Sequence, residues 1–344
     1  VEGEGRVKFG KIAVAASQGA ILAHALKTRG LNLKKGELIG LSQVNAMLAA
    51  GIDEIIAARL EQGDIEENEA ARRLAEGLRG ENLRIDHAFT GRCNLFAETD
   101  GLFLAAVDMI DRVNALDEAV TVATLPPMRR VSAGEMVATV KIIPFAVPAV
   151  TLARSLEAAR AAPLRIAPFL PLQVGVVSTL LPGLKPATVT KTLRVLDERL
   201  AIAGAKIGQE MQVPHEAEPL AQALRMLEPS SDLLIVFGAS AITDRRDIIP
   251  AAIAMAGGRI EHFGMPVDPG NLLLVGALPS AACTKPVIGA PGCARSPKEN
   301  GFDFILQRFL AGVPVKTEDI RRMGAGGLLA EIVERPHPRE SSDA

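Results

Sequence analysis

The chain contains no tryptophan and no tyrosine, and only 11 of its 344 residues are phenylalanine. A surface that stacks unpaired nucleobases needs several exposed rings, so a single-stranded nucleic-acid platform is excluded. Charge of one sign is also lacking: 38 Lys and Arg stand against 40 Asp and Glu, a net charge of -2. No basic field exists to hold a polyanion, and any phosphate must sit at a shaped local site. Cysteine is scarce and odd in number. Cys93, Cys283 and Cys293 have no CxxC partner, which points to free thiols in a reducing compartment. His24, His87, His215, His262 and His337 share no common spacing, so a histidine metal centre is not expected. No apolar run reaches the ~18 residues of a membrane span, and Val1 to Arg6 is polar, unlike a signal peptide. The expectation is a soluble, cytoplasmic protein with neither nucleic acid nor membrane as partner.

What is present is aliphatic. Hydrophobic residues make up 48% of the chain, with little aromatic contribution, a composition suited to α/β layers. The length allows two domains. Pro163, Pro168 and Pro171 follow one another closely and read as a stiff connector, which places a boundary at residues 165/166.

Residues 1–165 read as a mixed α+β domain. Leu33 to Gly36 suggests a turn, and Ser42 to Ala50 a helix with Ser42 as N-cap and Gly51 as its stop. Ile52 to Ala57 reads as a strand and Glu66 to Leu78 as a charged amphipathic helix. Val120 to Leu125 and Glu135 to Ile143 suggest strands of a barrel or sandwich, interrupted by a helix from Leu102 to Leu116. The Thr90-Gly91-Arg92-Cys93-Asn94 turn finds no role in this reading.

Residues 166–335 alternate in a regular way. Strands are expected at Gln173 to Ser178, Lys206 to Met211, Leu233 to Phe237, Arg259 to Gly264, Leu272 to Val275 and Pro286 to Ile288. Helices are expected at Thr188 to Ala203, Pro219 to Leu227, Ile249 to Ala256 and Asn300 to Ala311. The fold class is therefore α/β, with a mostly parallel three-layer sheet whose ligands bind outside the carboxyl ends of the strands. Residues 336–344 read as a disordered tail.

Three strand ends carry loops suited to anions. Leu233 to Phe237 leads into Gly238-Ala239-Ser240, then Thr243, then Arg245-Arg246-Asp247 before Pro250 opens a helix. Small residues allow a tight turn, and the helix start aims backbone N–H groups at whatever lies above the strand. A second loop, Thr179 to Pro186, holds Gly183 and Lys185. A third, Ala290 to Lys298, holds Pro291, Gly292, Cys293, Arg295, Ser296 and Lys298, and a related turn is Asp268-Pro269-Gly270-Asn271. Asp247 either binds a ligand or caps the following helix; Arg245 and Arg246 either clamp phosphate or face solvent. Ser240 and Thr243 either donate to phosphate or satisfy the turn.

These loops resemble the molybdopterin-binding domain shared by the MoeA and MogA proteins of molybdenum cofactor synthesis. Gly238-Ala239-Ser240 followed by Arg245-Arg246-Asp247-Ile248-Ile249-Pro250 is similar to the MogA-type run ending R-R-D-V-T-P. Pro269-Gly270-Asn271 and Pro291-Gly292-Cys293-Ala294-Arg295-Ser296 resemble the P-G-K-P and L-P-G-N-P-V-S turns of MoeA. Thr179 stands where that family has the threonine of T-G-D-E-L, and Leu33 to Ile52 resembles a looser MoeA segment. The resemblance covers roughly residues 172 to 312.

The resemblance implies molybdopterin as ligand, cradled by these loops. It implies either nucleotidyl transfer with Mg²⁺ and ATP or CTP, or molybdate insertion, with Asp247 and His215 as catalytic residues and Asp247 as the metal ligand. A dimer or trimer is the expected assembly. The chain also departs from the pattern. Leu180-Leu181-Pro182 replaces Gly-acid-Glu, Thr190-Lys191-Thr192 replaces Asp-Ser-Asn, His215 replaces an Asp, Cys293 replaces an Asn, and the A-M-D-G-Y-A run is absent. Fewer acids weaken the case for Mg²⁺ chemistry, which keeps open a non-catalytic carrier serving a nucleotidyltransferase or a molybdoenzyme. A nicotinamide-dependent oxidoreductase is the remaining alternative, but Ser178 to Gly183 lacks its G-x-G-x-x-G. At a helix entrance, the Cys293 thiol is expected to have a lowered pKa.

Overall fold

The computed structural model describes residues 7–28, 30–281 and 284–329. Cys283 and the segment read as a tail lie outside them. The chain divides into two compact units, Val1–Pro168 and Phe169–Ala344.

In the first unit every pairing between strands is antiparallel. Lys8–Ala13, Glu54–Arg59 and Ile21–Leu22 form one small sheet, with a core of its own around Val14, Leu22, Ile39 and Met47. A four-stranded sheet runs Val120–Thr124, Met136–Ile142, Arg92–Ala97, Leu83–Ile85. The helices Glu67–Leu78, Val107–Leu116 and Ala149–Arg160 share its core. A further sheet, in the order Arg130–Val131, Gly101–Leu104, Arg165–Pro168, brings Phe103, Val131 and Ile166 into the same core.

Three local expectations are corrected. The helix Leu41–Ala49 is capped by Gly40, to whose N–H the Gln43 side chain returns; Ser42 lies inside the helix. The helix expected from Leu102 begins only at Val107, because Gly101–Leu104 is a strand. It pairs with Arg130–Val131 and with Arg165–Pro168, so part of the supposed proline connector is an edge strand, where a missing N–H costs least.

The second unit is a three-layer α/β sandwich. Its elements are β1 (Gln173–Leu180), α1 (Pro186–Ala201), β2 (Lys206–Pro214), α2 (Ala217–Leu227), β3 (Leu233–Phe237), α3 (Ile248–Met255), β4 (Arg259–Phe263), β5 (Leu274–Leu278), β6 (Lys285–Ala290) and α4 (Gly301–Leu310). The sheet order is β2-β1-β3-β6-β5-β4. Only β5 runs against the rest. Side chains alternate between faces: Leu233, Ile235 and Phe237 pack with α1 and α4, whereas Leu234 and Val236 pack with α2 and α3. Burial on both faces is why β3 reads as an unbroken apolar run.

From β1 the chain crosses to β2 on one side, and from β3 it crosses to the strands on the other. The switch point therefore lies between the carboxyl ends of β1 and β3. No helix among the described residues is long and apolar enough to cross a membrane.

Candidate ligand site at the carboxyl edge

The switch point holds a chain of polar side chains. Thr179, buried near the end of β1, accepts a hydrogen bond from the Ala239 N–H at 2.9 Å. Its Oγ1 lies 2.7 Å from His215 Nδ1, and His215 Nε2 lies 2.8 Å from Ser240 Oγ. His215 directly follows β2, and its N–H donates to the Leu180 carbonyl at 2.9 Å. Three consecutive strands thus contribute to one network, which ends on an exposed hydroxyl at Ser240. Ser178, one residue before Thr179, has a buried hydroxyl with no hydrogen bond among the described residues. Unmet polar groups of this kind are scarce in folded proteins and mark a place where a partner belongs.

A second network fixes the loop after β6. Arg295 donates to Thr192 Oγ1 at 2.8 Å and to the Gly238 carbonyl at 2.9 Å, with its guanidinium 5.5 Å from the Phe237 ring centroid. Burial pushes this guanidinium below its ordinary pKa, although arginine stays charged at neutral pH. Arg199 in α1 reaches the same loop. It donates to Asp303 Oδ1 at 2.6 Å, to the Ala294 carbonyl at 2.9 Å and to the Ser296 carbonyl at 2.7 Å. Asn300 caps α4, and its N–H donates to Asp303 at 2.8 Å in a capping box. Pro269 and Gly270 join from the turn before β5. The Pro269 carbonyl accepts from the Gly301 N–H at 2.8 Å, and a Cβ on Gly270 would come within 2.7 Å of Gly301. Gly270 also has φ +141, so contact and conformation both demand glycine there.

The remaining expected site residues stand on an open rim. Gly183, Lys185, Thr243, Arg245, Arg246, Asn271, Gly292 and Lys298 are exposed. Arg246 is engaged by Asp244 at 2.8 Å. Asp247 caps α3, accepting from the Ile248 N–H at 2.8 Å and the Thr243 N–H at 3.2 Å. Among the described residues no group of three His, Cys, Asp or Glu is arranged to hold a metal ion.

Cys293 corrects another expectation. Burial, reinforced by Asp268 and Asp303, raises its thiol pKa. A short 3-10 segment, Gly292–Arg295, follows β6, so Cys293 does not sit at the mouth of an α-helix. Cys93 is pushed up to about 11 by burial, and both thiols are free.

Arg199 and Asp303 escaped the reading of the sequence, and Thr192 and Asn300 entered it only as a departure from the family pattern and as a helix start. Arg199 had a signal: it lies three and four residues after Leu196 and Val195 on the buried stripe of α1, where a charged side chain calls for a buried partner.

The second unit is thus a three-layer α/β domain with a polar network at its switch point, where sheets of this kind take their ligands. Residues 176–312 match the family described as a probable molybdopterin binding domain. The second unit carries a domain of that family of molybdenum cofactor biosynthesis. No curated protein matches the chain. Among solved structures it is similar to a molybdopterin biosynthesis MoeA protein from Pyrococcus horikosii, at 14% identity and a TM-score of 0.30, covering 89% of this chain and 75% of that one. It is also similar to a molybdenum cofactor biosynthesis protein from Pyrococcus furiosus, at 10% identity and a TM-score of 0.25, covering 91% and 66% respectively.

Proposed function

We propose that the second unit binds molybdopterin at the carboxyl edge of its sheet, as part of molybdenum cofactor biosynthesis. The observation that carries this reading is the Thr179–His215–Ser240 network at the switch point, next to a loop that Arg295 ties to Gly238. Ser240 and the exposed backbone of the β3–α3 loop supply donors for the pterin or its phosphate. Arg245, Lys185 and Lys298 supply charge from the rim. In this reading binding and presentation are the primary role. The Asp247 carboxylate is already committed to the α3 cap, which favours a carrier over a Mg²⁺-dependent nucleotidyltransferase. Delivery to a nucleotidyltransferase or a molybdoenzyme follows from that role.

Fluorescence titration of the whole chain with molybdopterin tests the proposal. Ser240→Ala and His215→Ala should each weaken binding about tenfold, the equivalent of one charge-assisted or well-placed hydrogen bond. Binding equal to that of the unaltered chain in both variants would remove the site. Turnover of ATP or CTP with molybdopterin by the isolated chain would overturn the carrier role.

A further inference from the structure

We propose that the first unit carries its own binding site, for a phosphomonoester with an apolar body, in the cavity walled by Lys35 and the Thr90-Gly91-Arg92 turn. The cavity measures about 620 Å³, within the range of small-molecule sites. It lies wholly within the first unit and does not depend on the molybdopterin reading.

The turn is held from several directions. Its Thr90 and Gly91 have φ +50 and +68, two consecutive left-handed residues of which the first is not glycine. Such conformations persist only where the surroundings fix them, and they gather at ligand sites. The Gly91 N–H donates to Asn68 Oδ1 at 2.8 Å, and its carbonyl accepts from the Ile142 N–H at 2.8 Å. Lys141 donates to the Thr90 carbonyl. A Cβ on Gly91 would approach Glu67 Oε2 to 2.5 Å and Lys141 Nζ to 2.8 Å. The turn is thus seated on the Glu67–Lys141 pair, whose charges lie 3.8 Å apart.

That pairing decides the sign of the cavity. Three cations (Lys35, Arg92 and Lys141) face one carboxylate, Glu67. Glu67 and Lys141 offset each other, which leaves Lys35 and Arg92 for a ligand. Lys35 makes no ion pair with any described residue, and among those residues the Arg92 guanidinium makes only a 3.3 Å hydrogen bond, to Thr139. Two cations suit a dianion, and the guanidinium fork suits the oxygens of a phosphate. The neighbouring helix start does not supply the charge. Glu67 N–H is taken by the Phe145 carbonyl, and the next two N–H groups by Glu66.

Phe9 and Ile143 belong to the lining, at 62% and 58% exposure, together with His24, Pro144 and Phe145. Large apolar side chains this open beside two cations provide a wall for the ligand's apolar part. A stationary turn that presents Arg92 before the ligand arrives lowers the ordering cost of binding.

The test is calorimetric titration of the full chain with phenyl phosphate, inorganic phosphate and benzoate, combined with backbone-amide NMR. Phenyl phosphate should bind saturably and more tightly than inorganic phosphate, shifting the Gly91 and Arg92 amides. Arg92→Ala and Lys35→Ala, both at exposed positions, should each weaken it about tenfold. Benzoate binding as tightly as phenyl phosphate would replace phosphate with carboxylate as the ligand group and overturn the proposal. So would shifts confined to residues 238–247, affinities unchanged in both variants, or no saturable binding of phenyl phosphate.

Discussion

Two loops at the carboxyl edge of the second unit are built in opposite ways. The loop after β6 is bolted to its surroundings: Arg199 reaches it from α1, Arg295 reaches out of it to Thr192 and the Gly238 carbonyl, and Asn300 and Asp303 close it from α4. The loop after β3 is held largely by its own residues. Asp247 takes the Thr243 N–H and Asp244 takes Arg246; its outside ties lie at its start, in the Thr179–Ala239–Ser240–His215 network and the Arg295 bond to the Gly238 carbonyl. A fixed platform beside a rim with few external ties allows one side of a site to set position and the other to adjust to the guest.

The largest expected effect tests the platform. Arg199→Ala leaves Asp303 with its capping role but no counter-charge, at a site where both side chains are only 10% exposed. Breaking such a pair costs about 3 kcal/mol, measured as a shift in the urea unfolding midpoint. An unchanged midpoint would mean the bolt is ornamental. Gly270→Ala, with its backbone contact to Gly301 and its φ of +141, should cost about 2 kcal/mol by the same measurement. The tie from β1 to the loop after β3 comes next. Thr179→Val keeps the shape but leaves the Ala239 N–H without its acceptor, for about 1 kcal/mol of stability, and should release His215. Histidine NMR would then report faster proton exchange at its ring.

The self-held loop should respond least. Arg246→Ala removes a fully exposed pair, and no change in melting temperature is expected at neutral pH. Asp244 is held below its ordinary value of 3.8 by the Arg246 side chain. Any stabilisation from the pair is therefore present above that value and lost as pH falls through the lowered one. A melting shift at pH 7 that disappears in acid would show that this loop, too, is anchored by charge.

The layers of the second unit were legible because the inner strands are buried on both faces, and an apolar run such as Leu233 to Val236 has few alternatives. The loops were legible from glycine and proline. The bolts were not. Arg199 and Asp303 are 104 residues apart, and no local pattern links them. In the first unit, Gly101–Leu104 was absorbed into the helix that begins three residues later, since a short apolar strand and a helical turn look alike without their partners. Arg165–Pro168 was hidden by Pro168 and the neighbouring Pro163 and Pro171; on an edge strand a proline need not supply a ladder N–H. Asp247 was legible as special, but a helix cap and a metal ligand ask for the same residue type.

One detail of topology reaches further than its size suggests. Because β5 runs against its neighbours, it starts at Leu274 opposite Gly289, near the end of β6. The bend between β4 and β5, with Pro269 and Gly270 in it, is thereby delivered to the face where the other loops open, without a crossover helix. Changes of length or composition in that bend can remodel what the domain accommodates while both helical layers keep their packing.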